Sequence, residues 1–72
     1  MVSNQMICRF TIIPDGNVLL YQGTAGDTYE DALLSLGINP DTVLIFFDGR
    51  SLAQDKKIEE DEVRIFLTGS RG

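Results

Sequence analysis

Only one stretch of this chain has the period of an amphipathic helix, and it is short. Tyr29, Ala32, Leu33 and Leu36 recur at i, i+3, i+4 and i+7, the spacing that lines one helix face. Most of the remaining apolar residues fall in strand-like runs. A single helix covers only one face of a sheet, so the pattern predicts a two-layer α+β domain.

Punctuation around these segments sets the element order. Residues 1–5 are polar and aperiodic and read as a flexible leader. From Met6 to Ile13 the chain alternates, with Cys8, Phe10 and Ile12 on one face and Arg9 and Thr11 on the other, as in a half-buried strand. Pro14-Asp15-Gly16-Asn17 is turn chemistry, and Val18–Tyr21 returns as a second strand. Gly23-Thr24-Ala25-Gly26 breaks that strand. Asp27, with Glu30 three residues on, has the spacing of an N-cap and its reciprocal partner. Gly37 supplies the left-handed stop near Leu36, and Asn39-Pro40 forbids continuation.

The second half is strand-like. Val43–Phe47 is β-branched and aromatic, and Asp48-Gly49 is a strong hairpin signal before a short return strand, Arg50–Leu52. Ala53–Asp61 is polar and irregular, with room for a helical turn. Glu62–Leu67 closes the pattern, with Val63, Ile65 and Leu67 on one face and Arg64 on the other. The expected organisation is a domain over residues 6–67 and a flexible tail over 68–72. The pattern alone does not choose among strand pairings.

Length argues against catalysis. A 72-residue chain buries only about 60% of its unfolded surface, which leaves little material for a substrate cavity. The net charge of −5 provides no electrostatic footprint for phosphate backbones, so no nucleic-acid partner is expected. The longest apolar run, Val43–Phe47, is far short of a membrane span. No secretory signal precedes the domain, and the lone Cys8 has no internal disulfide partner; both fit a reducing cytoplasm.

Other signals have plainer explanations. Cys8 lies on the apolar face with Phe10 and Ile12, as a structural cysteine does. With no histidine and one cysteine there is no zinc set, and the acidic run from Asp55 to Glu62 lacks the central Gly of a calcium loop. The glycines at 23 and 26 are not followed by Gly-Lys-Ser/Thr, so they form no phosphate loop. No cofactor is expected. Lys56 and Lys57 are the only lysines.

Three segments resemble the small archaeal modifier proteins: Asp27-Thr28-Tyr29-Glu30-Asp31 opening the helix, Val43–Arg50 with its Asp48-Gly49 turn, and Glu60-Asp61-Glu62-Val63-Arg64-Ile65. The same layout is shared more loosely by the small subunit of molybdopterin synthase, the thiamine sulfur carrier and ubiquitin. The resemblance implies a ubiquitin-like β-grasp, a mixed four- to five-stranded sheet packed on one helix, with the first and last strands parallel at its centre. It also implies a non-enzymatic modifier or sulfur carrier, activated by ATP-dependent adenylation of its C-terminal glycine. Its partners would be an adenylating enzyme of the ubiquitin-activating type, and target lysines or sulfur-transfer enzymes. Protein modification, tRNA thiolation and cofactor synthesis all remain open, as does a β-grasp interaction module that is never activated.

That resemblance assigns the chemistry to Gly72. A terminal residue without Cβ can thread a narrow channel. The family ends in Gly-Gly, whereas here Arg71 precedes Gly72. Three readings of Arg71 stand side by side: a partner channel that accepts it, a chain cut short of a further glycine, or lost carrier chemistry.

A second candidate site follows from strand phase. Arg64 marks the outward face of the last strand, which also carries Phe66. With Val43, Ile45 and Phe47 inward, Leu44 and Phe46 point outward. On neighbouring strands, Leu44, Phe46 and Phe66 would form an apolar patch beside Arg64, the usual mark of a partner surface. The corresponding strands of ubiquitin carry the patch that its partners read.

Overall fold

The computed structural model describes residues 5–68. Its elements are β1 (Gln5–Ile13), β2 (Val18–Thr24), α1 (Tyr29–Ser35), a 3₁₀ turn (Pro40–Thr42), β3 (Val43–Phe47), β4 (Arg50–Leu52) and β5 (Glu62–Leu67). One sheet holds all five strands in the order β2-β1-β5-β3-β4. β1 and β5 run parallel in its interior, and the other neighbours are antiparallel. This is an α+β fold of the ubiquitin-like β-grasp kind.

Alternation along the strands builds the core. Cys8, Phe10 and Ile12 from β1, Val63 and Ile65 from β5, Val43 and Ile45 from β3 and Tyr21 from β2 are all buried on the helix side. Tyr29, Ala32 and Leu33 of α1 close over them. The Phe10 ring packs tilted against Tyr29 at 6.0 Å and edge-on to Tyr21 at 6.5 Å. Each such fully buried large side chain contributes roughly 1.5–3 kcal/mol.

The helix begins one residue later than its sequence signals predict. Thr28, not Asp27, is the N-cap: its hydroxyl accepts from the Asp31 amide at 3.2 Å, and the Asp31 carboxylate accepts from the Thr28 amide at 3.1 Å. Asp27 is occupied elsewhere. It accepts the Tyr21 hydroxyl at 2.6 Å and the Thr24 amide at 3.1 Å, and these bonds hold its carboxyl below the usual range. Gly23 makes the contact possible, since a Cβ there would sit 2.5 Å from both the Asp27 carboxylate and the Tyr21 ring. Gly23 therefore lies within β2, which extends to Thr24 instead of breaking after Tyr21.

The C-terminal end of the helix matches expectation. Gly37 has φ +82, and the Ile38 amide donates to Leu33 at 2.8 Å, the closing bond of a Schellman motif. Asp48 and Gly49 both have positive φ, as a two-residue type I′ hairpin requires.

The segment Ala53–Asp61 forms no helix, only a single turn closed by the Lys56 amide donating to Ala53 at 3.1 Å. Its carbonyls cap the helix instead: Lys56 accepts from the Tyr29 amide at 3.1 Å and Gln54 from the Glu30 amide at 2.7 Å. These amides have no partner within the helix. Ile58 drops into the core from this polar stretch, and its amide donates to Asp27 at 2.9 Å. The Tyr29 hydroxyl donates to the Glu60 carboxylate, which Lys56 Nζ also reaches at 3.2 Å.

Three smaller differences occur at strand ends. Phe47 and Leu67, expected inward, are both exposed, Phe47 at the turn opposite Arg50 and Leu67 as the last residue of β5. Gln5 already pairs with Thr24, and Thr68 donates from its amide to Thr42 at 2.9 Å. Residues 1–4 of the expected leader and 69–72 of the expected tail lie outside the described residues.

Two outcomes test this architecture. Thr28→Ala should lower the unfolding free energy in urea by about 1 kcal/mol, whereas Glu30→Ala, in the first turn but outside the capping box, should cost only about 0.3–0.5 kcal/mol. Acid dependence tests the network at Glu60. Burial pushes its carboxyl up, but the Tyr29 and Lys56 bonds and the Lys56 charge together outweigh burial and hold it below its ordinary value of 4.5. Stability from Glu60 is then complete above that value and is lost as pH falls through the depressed one. Urea midpoints measured from pH 6 downwards should fall less steeply for Glu60→Gln than for the wild type.

Candidate functional site

Among the described residues, no element covers the face of the sheet away from α1. β3 and β5 meet there with Leu44 opposite Phe66 and Phe46 opposite Arg64. The Phe46 and Phe66 rings contact edge-on, with centroids 5.0 Å apart. Leu44 is 48% exposed, and both phenylalanines are half-buried, each sheltered by the other. The four residues singled out by strand phase are therefore adjacent.

The patch has a fifth member that the sequence reading missed. Ile13 lies beside Phe66 in the parallel ladder, so Ile13, Phe66 and Leu44 form one row across three strands. Its signal was present in the alternation of β1, but only the β1–β5 pairing joins it to the patch. Along the next row Thr11 lies beside Arg64. Phe46, Phe66, Thr11 and Arg64 border a half-open concavity of ≈ 880 Å³ that extends to Arg9 and Phe47.

Charge at this face is uneven. Arg9 pairs with Glu62 at 3.2 Å, with both side chains largely in water, so the pair adds little stability. Arg64 is exposed and makes no ion pair or side-chain hydrogen bond among the described residues. An apolar cluster with an unpaired cation beside it suits a partner that brings an apolar side chain and a carboxylate.

The C-terminal candidates, Arg71 and Gly72, lie outside the described residues. The chain leads towards them from the patch: β5 carries Phe66, and Thr68 is tied to Thr42 by bonds from both its amide and its hydroxyl, at 2.9 and 3.0 Å. Of the two lysines, Lys56 is held by Glu59 and Glu60 and Lys57 is exposed. Among the described residues no cluster of His, Cys, Asp and Glu could hold a metal ion, and no helix is long and apolar enough to cross a membrane.

Residues 11–67 match the family model described as small archaeal modifier protein 2. The chain belongs to that family. Membership makes it, in general terms, a ubiquitin-like modifier or sulfur carrier, and proteins of this family are typically small non-enzymatic carriers. The matched span runs from the middle of β1 to the last residue of β5, so it covers the sheet face described above. No curated protein matches the chain.

Cys8 packs as a core side chain of this modifier fold. It is fully buried; burial, and then the negative charges of Glu60, Asp61 and Glu62, push its thiol up to about 12. Because the thiolate is the reactive form, iodoacetamide at pH 8 should leave the native protein unmodified by mass and alkylate it fully in urea. Rapid alkylation of the native chain would contradict this placement of Cys8.

Proposed function

We propose that this chain is a protein carrier activated at the carboxylate of Gly72. A carboxylate oxygen attacks the α-phosphorus of ATP, pyrophosphate leaves, and an acyl adenylate forms. A sulfur nucleophile then displaces AMP, giving either a thiocarboxylate for sulfur delivery or a thioester to an enzyme cysteine. A lysine amine that displaces the thiol from such a thioester would form an isopeptide bond. Family membership carries this reading, and the uncovered sheet face supports it.

In this reading an adenylating enzyme of the ubiquitin-activating type grips Leu44, Phe46 and Phe66 and pairs a carboxylate with Arg64. Phe66 lies two residues before Thr68, and the four residues after Thr68 span at most about 14 Å when extended. An enzyme holding the patch therefore has its adenylation site close by. Arg71 then lies in the enzyme's channel, where its cation would meet an acidic or polar wall and not the tight fit that a second glycine allows. Gly72 is the reacting residue and Arg71 the one that selects the channel. A reducing cytoplasm suits both a thiocarboxylate product and the free Cys8.

One observation favours a second reading. Leu44, Phe46, Arg64 and Phe66 are brought together by the β3–β5 pairing without any contribution from the C-terminal residues, which fits a β-grasp module that binds through its sheet face without being activated.

Intact mass after incubation with an adenylating enzyme, ATP and a sulfur donor separates the two. Carrier function gives a gain equal to replacing one oxygen by sulfur, or a covalent conjugate, and deleting Gly72 abolishes it. An unchanged mass with the enzyme that binds the sheet face would favour the module. Under either reading, Phe46→Ser combined with Phe66→Ser should weaken enzyme binding at least about tenfold and leave the domain folded, with a urea midpoint lowered by the loss of the ring pair.

A further inference from the structure

At the other side of the sheet, β2 is an edge strand with few of the devices that usually blunt an edge. Such edges are generally short, charged, bulged or interrupted by proline. β2 runs seven residues, Val18–Thr24, without charge or proline. It lies within residues 16–26, the longest stretch of the chain without a charged side chain. Leu20 is 62% exposed and Val18 52% exposed, and Ile7, opposite Gln22 on β1, is 55% exposed.

The hydrogen-bond phase of β2 identifies which backbone groups are free. The Ile12 amide donates to Asn17 at 2.7 Å, so Ile12 and Asn17 are a hydrogen-bonded pair. Such pairs alternate along an antiparallel ladder, and with this register Leu19, Tyr21 and Gly23 bond inward to Phe10, Cys8 and Met6. The amides and carbonyls of Val18, Leu20 and Gln22 therefore point off the edge. Thr24 would be the next, but its amide donates to Asp27 Oδ2 at 3.1 Å and its carbonyl accepts from the Asp27 amide at 3.1 Å. Among the described residues, the free edge is thus three residues long and symmetric about Leu20.

We infer that this edge pairs with the same edge of a second copy, across a twofold axis at Leu20. Antiparallel pairing at that axis sets Leu20 against Leu20 and each Val18 against Gln22. All six outward groups of each copy are then satisfied, with none left over. On the helix side the half-buried Leu19 of one copy meets Tyr21 of the other. No like charges face each other within the paired strands, whereas most of this net −5 surface repels its own copy. A strand longer than three pairing residues would run into the Asp27 cap at one end and the Pro14–Asn17 turn at the other, and so a second copy fits this edge better than a long extended peptide. The contact is small, so the dissociation constant should be on the order of tenths of a millimolar to a millimolar. Because net charge opposes it, salt should strengthen it.

Sedimentation velocity and amide hydrogen exchange test this on the full chain. From about 10 µM to about 2 mM the apparent mass should rise from 8.0 kDa towards twice that, and further in 0.5 M salt (about the middle of a common screening range). Exchange at Val18, Leu20 and Gln22 should slow with concentration, while Leu19 and Tyr21, already bonded to β1, stay constant. Leu20→Lys puts like charges at the axis and should weaken association at least about tenfold. Leu20→Pro removes an outward amide at a position where an edge strand tolerates proline, and circular dichroism reports whether either variant remains folded. A mass that stays at the monomer value to about 2 mM would overturn the inference. So would association that survives a folded Leu20→Lys, or that is lost with Phe46→Ser instead, which would place the contact on the β3–β5 patch. None of these readouts involves Gly72 activation.

Discussion

Tyr29 holds this small domain together. Its ring is fully buried beneath the sheet, packed on Phe10, while its hydroxyl and its amide both bind the segment between β4 and β5. A helix of seven residues is about 10 Å long and cannot by itself cover five strands. The single tyrosine fixes the helix start to the core and to the irregular segment at once, and Ile58 fills the space the short helix leaves. Burial and the Glu60 bond also push the Tyr29 hydroxyl upward in pKa, so the group stays a neutral donor wherever the fold is intact.

The two sides of the sheet divide the labour. The helix side is almost wholly committed to stability: its large apolar residues are buried, and no buried side-chain polar atom lacks a partner among the described residues. The open side carries half-exposed phenylalanines and, at Arg64, a guanidinium with no ion pair among the described residues. In a domain this small, a partner surface has to come from a face that packing has left unused, and alternation along each strand supplies one without disturbing the core.

Much of this was legible in the sequence, because strand phase is a local property. Arg64 was enough to orient β5, and the apolar alternation of β1 and β3 oriented the rest, which brought Leu44, Phe46 and Phe66 together. What the sequence hid depends on contacts between distant residues. Asp27 and Thr28 are both good caps, and the choice turns on a hydroxyl from Tyr21 reaching one of them. Ile58 sits in a polar run with no periodicity, so nothing local announces its burial. Phe47 and Leu67 obey the strand period but stand beyond the ends of the covered rows. The last residues, Arg71 and Gly72, carry their meaning through the family and not through the sheet.

The position of β5 has a mechanical consequence. It is the last strand in the chain but the middle one in the sheet, with a ladder on each side. A pull on the carboxyl end is directed along this strand and loads both ladders in shear, many bonds at a time, whereas a terminal strand at an edge would peel away one bond at a time. Anything hung from that end is thus tied to the part of the domain that resists being drawn out.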